Sequence, residues 1–189
     1  MTIVDLAYDA AGQGPAVLLL HGHPFNRTMW QPQIGPLARH YRVIVPDLRG
    51  YGESPVTPGI VTMAELAADV SRVLDREEVG PAAIVGLSMG GLVLMELALA
   101  APDRWRALAF IATTARPVTD AERSDRQAKA KIAEENGMLA VAADMLPRLF
   151  GPDPDPALVE RIRSMMLATS PAGAPVAAHP VVRLHRRLR

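Results

Sequence analysis

The 189-residue chain contains no cysteine. That excludes a disulfide framework, a thiolate nucleophile and any zinc site built on cysteine, and it fits a cytoplasmic location. There is also no excess of charge: Lys+Arg and Asp+Glu both number 20. No overall field therefore draws the chain to nucleic acid, an anionic membrane or a polyanionic substrate, and the expected partner is small and apolar. Long apolar runs are missing too. The longest, around residues 15–20 and 89–101, are too short to span a bilayer, which excludes a membrane protein. The first residues, MTIVDLAYDAAGQG, lack the basic start and apolar run of a secretory signal. No periodic repeat occurs. What is present is 49% hydrophobic content, enough for one globular domain with a real core.

The unbroken apolar run of residues 16–20 reads as a strand covered on both faces, as in a parallel sheet, and the mainly apolar runs 41–45, 81–85 and 106–111 read as three more buried strands. Residues 2–8 alternate in part and predict an edge strand before the turn at Gly12 and Gly14. The intervening segments carry helical periodicity, the alternation of a doubly wound α/β sheet. Thr62 and Glu65 form a capping box, followed by a stripe of Met63, Leu66, Ala67, Val70, Val73 and Leu74. Residues 89–101 are apolar nearly all round, with Glu96 the only charge, so this helix is expected to be buried.

After Pro117 strand-like runs cease. A second capping box at Thr119 and Glu122 opens a helix that Gly137 is placed to end, and residues 138–149 form another. Asp155 caps a third helix with Pro156 at its first position, carrying Leu158, Ile162, Met165 and Met166. Three amphipathic helices without a strand look like a lid. The expected organisation is a core over residues 1–116, a helical lid over 117–170, and a Pro/Ala/Arg-rich tail over 171–189, disordered or aberrant.

The sharpest chemical signal is Gly86-Leu87-Ser88-Met89-Gly90, between a buried strand and a buried helix. A serine there occupies a tight turn that excludes side chains two residues before and after it, which explains the glycines. The turn aims the hydroxyl outward at the positive end of a helix, where a developing oxyanion is stabilised. A Gly-Ser loop at a strand–helix junction is the plainer reading. A second element, His21-Gly22-His23-Pro24, follows the first buried strand, and its glycine permits a backbone path that turns an amide toward the serine. The natural oxyanion pair is then the backbone N–H of His23 and that of Met89. His21 and His23 as metal ligands would need further partners that no nearby pattern supplies, and His21 reads better as a structural histidine. A nucleotide-binding reading fails, because GLSMGG has the wrong glycine spacing and a serine at its apex.

HGHP after one strand, PDLRGYGES after the next and GLSMGG at the turn together resemble the α/β-hydrolase superfamily, in particular its esterase, perhydrolase and pimeloyl-ester-hydrolase-like branch. The resemblance covers about residues 2 to 170. It implies an α/β-hydrolase fold with a mostly parallel sheet flanked by helices, a helical lid after the strand ending near Ile111, and the last strands missing. It implies hydrolysis of an ester, thioester or related acyl bond through an acyl-serine intermediate, with Ser88 as nucleophile, a small apolar acyl-containing substrate, and no metal or organic cofactor. Asp47, Arg49 and the glycines of the PDLRGYGES loop are given structural roles.

A serine needs a base to take its proton and an acid to orient that base. In this superfamily both follow the serine in the chain, acid first. Asp120 is the nearest acid candidate, although its plainer reading is a first-turn carboxylate on a capped helix. The base candidates are His179 and His185, the only histidines after Ser88, both in the tail. Resemblance stops abruptly near residue 173, and four arginines fall within the last seven residues. That break predicts a frameshifted or truncated product in which the acid and base were lost. The competing expectation is thus a catalytically inactive chain, or a binding protein with a residual pocket. A basic terminus of this length is more often solvated than a binding element.

Overall fold

A computed structural model describes residues 2–117 and 119–171. Five strands form one sheet in the order β1-β3-β2-β4-β5: β1 (Tyr8–Ala11), β2 (Ala16–Leu20), β3 (Arg42–Pro46), β4 (Ala82–Leu87) and β5 (Trp105–Ile111). All neighbours run parallel except β1 against β3. The helices are α1 (Gln31–Ala38), α2 (Met63–Arg76), α3 (Met89–Ala100), α4 (Asp120–Leu149) and α5 (Pro156–Leu167). This is an α/β fold with a mostly parallel sheet flanked by helices. No helix among the described residues is long and apolar enough to cross a membrane.

The main core lies between the sheet and helices α2 and α3, with Leu18, Leu20, Ile44, Ile84, Leu66, Val70, Leu74, Leu94 and Leu97 buried together. A second cluster of Val17, Leu19, Val43, Val45 and Trp30 fills the α1 side. The expected caps form. Thr62 and Glu65 make a reciprocal box at α2, Thr119 and Glu122 do the same at α4, and Asp155 accepts from the Ala157 N–H at α5. Gly137, at φ 72° and ψ 179°, is non-helical and breaks α4 into two helices that meet at a kink, as the sequence led one to expect.

Two expectations are corrected. The first strand lies at Tyr8–Ala11, not over residues 2–8, because Tyr8 is the residue that reaches register with Pro46. The chain before it crosses α2 instead, where the Val4 N–H donates to the Asp69 carboxylate at 2.9 Å. The run 106–111 does form a strand but is not buried: Phe110 is 43% and Ile111 42% exposed. Among the described residues β5 pairs only with β4, so it forms the outer edge of the sheet.

Candidate active site

Strand β4 delivers Ser88 at its carboxyl end, and α3 begins at the next residue. Ser88 sits at φ 49°, ψ −111°, a conformation that costs an L-residue energy and persists only where its surroundings enforce it. The enforcement is close packing. A Cβ on Gly86 would lie 2.5 Å from the Gly90 carbonyl oxygen, and one on Gly90 would lie 2.6 Å from the carbonyl oxygens of Leu20 and His21. The turn is also tied by hydrogen bonds: the Ser88 N–H donates to the Ile111 carbonyl at 2.8 Å, and the Ser88 carbonyl accepts from Gly91 at 3.0 Å. Ser88 itself is exposed.

The segment after β2 lies against this turn, since a Cβ on Gly22 would be 3.3 Å from the Ser88 Cβ. His21 is wholly buried and both its ring nitrogens are engaged. The Leu48 N–H donates to Nε2 at 2.9 Å, so Nδ1 carries the proton and faces the Gly22 carbonyl at 3.0 Å. Burial pushes its pKa down to about 4, opposed by the Gly22 carbonyl and the Asp47 charge. A neutral ring committed on both nitrogens has no lone pair for a metal and no freedom to act as a base. The His23 Nδ1 lies 2.9 Å from the Tyr51 hydroxyl, and burial, then the neighbouring His21, lower its pKa to about 4. Tyr51 is buried as well, which holds its phenol well above the ordinary value.

The loop after β3 is fixed by two buried carboxylates. Asp47 accepts the Arg27 and Glu53 N–H groups at 2.6 and 2.9 Å and pairs with the Arg27 guanidinium. Asp69, on the buried face of α2, receives Arg49 Nε at 2.8 Å and Nη2 at 2.7 Å, while the same Nη2 donates to the Thr2 carbonyl at 2.7 Å. Asp47 and Arg49 thus hold the loop and the amino-terminal segment in place. On the opposite side, the Thr169 hydroxyl donates to the Pro24 carbonyl at 2.8 Å, and Phe25 packs with Ala142, Met165 and Met166 of α4 and α5.

With this arrangement in place, the family model of the alpha/beta hydrolase fold matches residues 15–141. The chain belongs to that family. It is 33% identical over 164 residues to 3-oxoadipate enol-lactonase 2 of Acinetobacter baylyi, covering 84% of this chain and 60% of that one. To the pimeloyl-[acyl-carrier protein] methyl ester esterase of Aeromonas hydrophila it is 34% identical over 112 residues, 59% of this chain and 42% of that one. Among solved structures, a thermophilic esterase from Thermogutta terrifontis superposes with a TM-score of 0.87 at 39% identity, covering 92% of this chain and 65% of that one. The chain spans about half the length of the two curated relatives.

Within this α/β hydrolase the sequence candidates are placed unevenly. Ser88, His23 and Met89 come together where β2, β4 and α3 meet. Asp120 does not join them: it lies in the first turn of α4 with its carboxylate in solvent, 3.9 Å from Arg123 Nε. His179 and His185 lie outside the described residues. Trp30 belongs to the core beside β2 and β3, Met29 and Met145 pack around Phe25, Met138 is buried, and Leu139 is 57% exposed. Three residues escaped the sequence reading: Asp69, Tyr51 and Thr169. Asp69 had a visible signal, a charge on the apolar stripe of α2. Thr169 had none, since its partner lies 145 residues away.

Proposed function

We propose that the chain is a serine hydrolase acting on an ester, thioester or related acyl bond of a small apolar substrate through an acyl-serine intermediate. The observation that carries this reading is the exposed Ser88 held at φ 49° by glycine contacts between β4 and α3. Its hydroxyl oxygen attacks the carbonyl carbon, the backbone N–H groups of His23 and Met89 receive the negative charge that develops on the carbonyl oxygen, and collapse breaks the bond to the alcohol or thiol, which departs with the serine proton and leaves the acyl-serine. Water then releases the acid from the serine. Helices α4 and α5 act as a lid over residues 117–170, a reading supported by the Thr169–Pro24 hydrogen bond and by Phe25 inserted among their side chains. The names of the relatives, an enol-lactonase and a methyl ester esterase, agree with this bond class.

A second reading, a catalytically inactive chain that keeps the pocket, is favoured by one observation. Among the described residues no histidine follows Ser88. Turnover of p-nitrophenyl acetate and butyrate separates the two readings. Saturable hydrolysis that disappears in Ser88→Ala supports the hydrolase. Hydrolysis equal in wild type and Ser88→Ala overturns it.

A further inference from the structure

Tyr51 is the largest fully buried side chain among the described residues, only 1% exposed, yet it ends in a hydroxyl. A buried hydroxyl requires partners, and those of Tyr51 are side chains. Its oxygen is 2.9 Å from His23 Nδ1 and 3.5 Å from Met89 Sδ. A hydroxyl has one hydrogen and a thioether has none. Both contacts are hydrogen bonds only if the His23 Nδ1–H donates to the phenol oxygen and the phenol donates to the sulfur. The ring is itself held edge-on to His21 and His23, at centroid separations of 5.2 and 5.9 Å.

The two residues joined in this way are the two whose backbone amides receive the oxyanion in the proposed acyl transfer. Resting on that acyl-serine reading of the site, we infer that Tyr51 is a positioning residue: the relay His23 Nδ1–H to Tyr51 Oη–H to Met89 Sδ yokes the two halves of the oxyanion hole. The halves need a yoke because they come from separate elements. His23 lies in a loop whose own backbone contributes the Phe25 N–H to Gly22 carbonyl bond, and Met89 is the first residue of α3. Donors stabilise an oxyanion only when both are aimed at the same point in advance. Fixing the side chains of residues 23 and 89 through one rigid buried phenol fixes the direction of both amides. The relay also makes His23 the Nδ1–H tautomer, a property that is measurable without any substrate.

The test uses Tyr51→Phe, which keeps the ring, Met89→Leu, which keeps the volume and removes the acceptor, and the double variant. Kinetics on p-nitrophenyl acetate are paired with 15N NMR of the histidine ring nitrogens. For Tyr51→Phe the expected result is about a tenfold loss of kcat with KM within about twofold, an effect smaller than removal of a whole oxyanion donor. Met89→Leu loses about threefold, and the double variant is no slower than Tyr51→Phe, because both changes interrupt one relay. His23 is the Nδ1–H tautomer in the wild type and loses that preference in Tyr51→Phe. Multiplying losses in the double variant, an unchanged kcat in Tyr51→Phe, or an Nε2–H tautomer in the wild type would each overturn the inference. If the wild type shows no Ser88-dependent turnover, the hydrolase reading fails by itself, and the tautomer still decides the relay.

Discussion

Strands β4 and β5 lie side by side, and both are apolar runs of the kind that fills the middle of a parallel sheet. In the folded chain they differ sharply. On β4, Ala82 and Ile84 are 0% and 1% exposed, whereas on β5 Phe110 and Ile111 are 43% and 42% exposed. β4 has β2 on one side and β5 on the other, while among the described residues β5 pairs with β4 alone. An apolar run reports the burial a strand is built for, and its place in the sheet sets the burial it attains. Ser88 bridges the two regions. Its strained turn is packed from the β2 and β4 side by Gly86 and Gly90, but its amide is anchored on the Ile111 carbonyl of the exposed edge.

The largest loss is expected at the buried ion pair between α2 and the loop after β3. Asp69→Ala leaves the buried Arg49 guanidinium without its carboxylate, and urea unfolding is expected to register a loss of about 3–5 kcal/mol. In the apolar layer Ile84→Ala costs about 3 kcal/mol. On the edge, Phe110→Ala costs less than about 1 kcal/mol by the same unfolding measurement, because its side chain is already half in water. Equal losses at Ile84 and Phe110 would erase the distinction.

Acid tests the buried side in another way. The folded-state pKa of His21, about 4, lies below the ordinary value of 6.5, so the unfolded chain binds more protons than the folded one between those values. The stability contributed is fully present above about pH 6.5 and is lost as pH falls through about 4, an expected loss of roughly 3 kcal/mol for this one ring. His21→Gln keeps an acceptor for the Leu48 N–H and does not titrate, so its unfolding midpoint falls less steeply between about pH 7 and 4.5. The smallest effect on stability is expected from Phe110→Lys, with its melting temperature unchanged within a few degrees. That substitution places a charge on an open edge, so sedimentation of the variant at high concentration should show less self-association than the wild type.

Much of this was legible in the sequence where local chemistry dictates local structure. The capping pairs Thr62–Glu65 and Thr119–Glu122 declare helix starts, and the glycines around Ser88 declare a tight turn, because neither depends on distant residues. What was not legible depends on them. The first strand shifts to Tyr8–Ala11 because β3 sets its register, which no property of residues 2–8 encodes. The exposure of β5 depends on which strands stand beside it. The His23–Tyr51–Met89 relay joins three segments whose side chains carry no common pattern, and the Thr169–Pro24 bond spans most of the chain. Of the candidate site, the Ser88 turn and the His21–Pro24 segment were visible as motifs, whereas an acid and a base are recognised by their geometry around the serine.

Fluorophosphonate labelling of the folded chain, read by intact mass and peptide mapping, tests whether Ser88 is an activated nucleophile. The expected result is one phosphonyl group on Ser88, absent after denaturation and absent in Ser88→Ala. Folded protein that stays unmodified, or that carries the label on another residue, would contradict it.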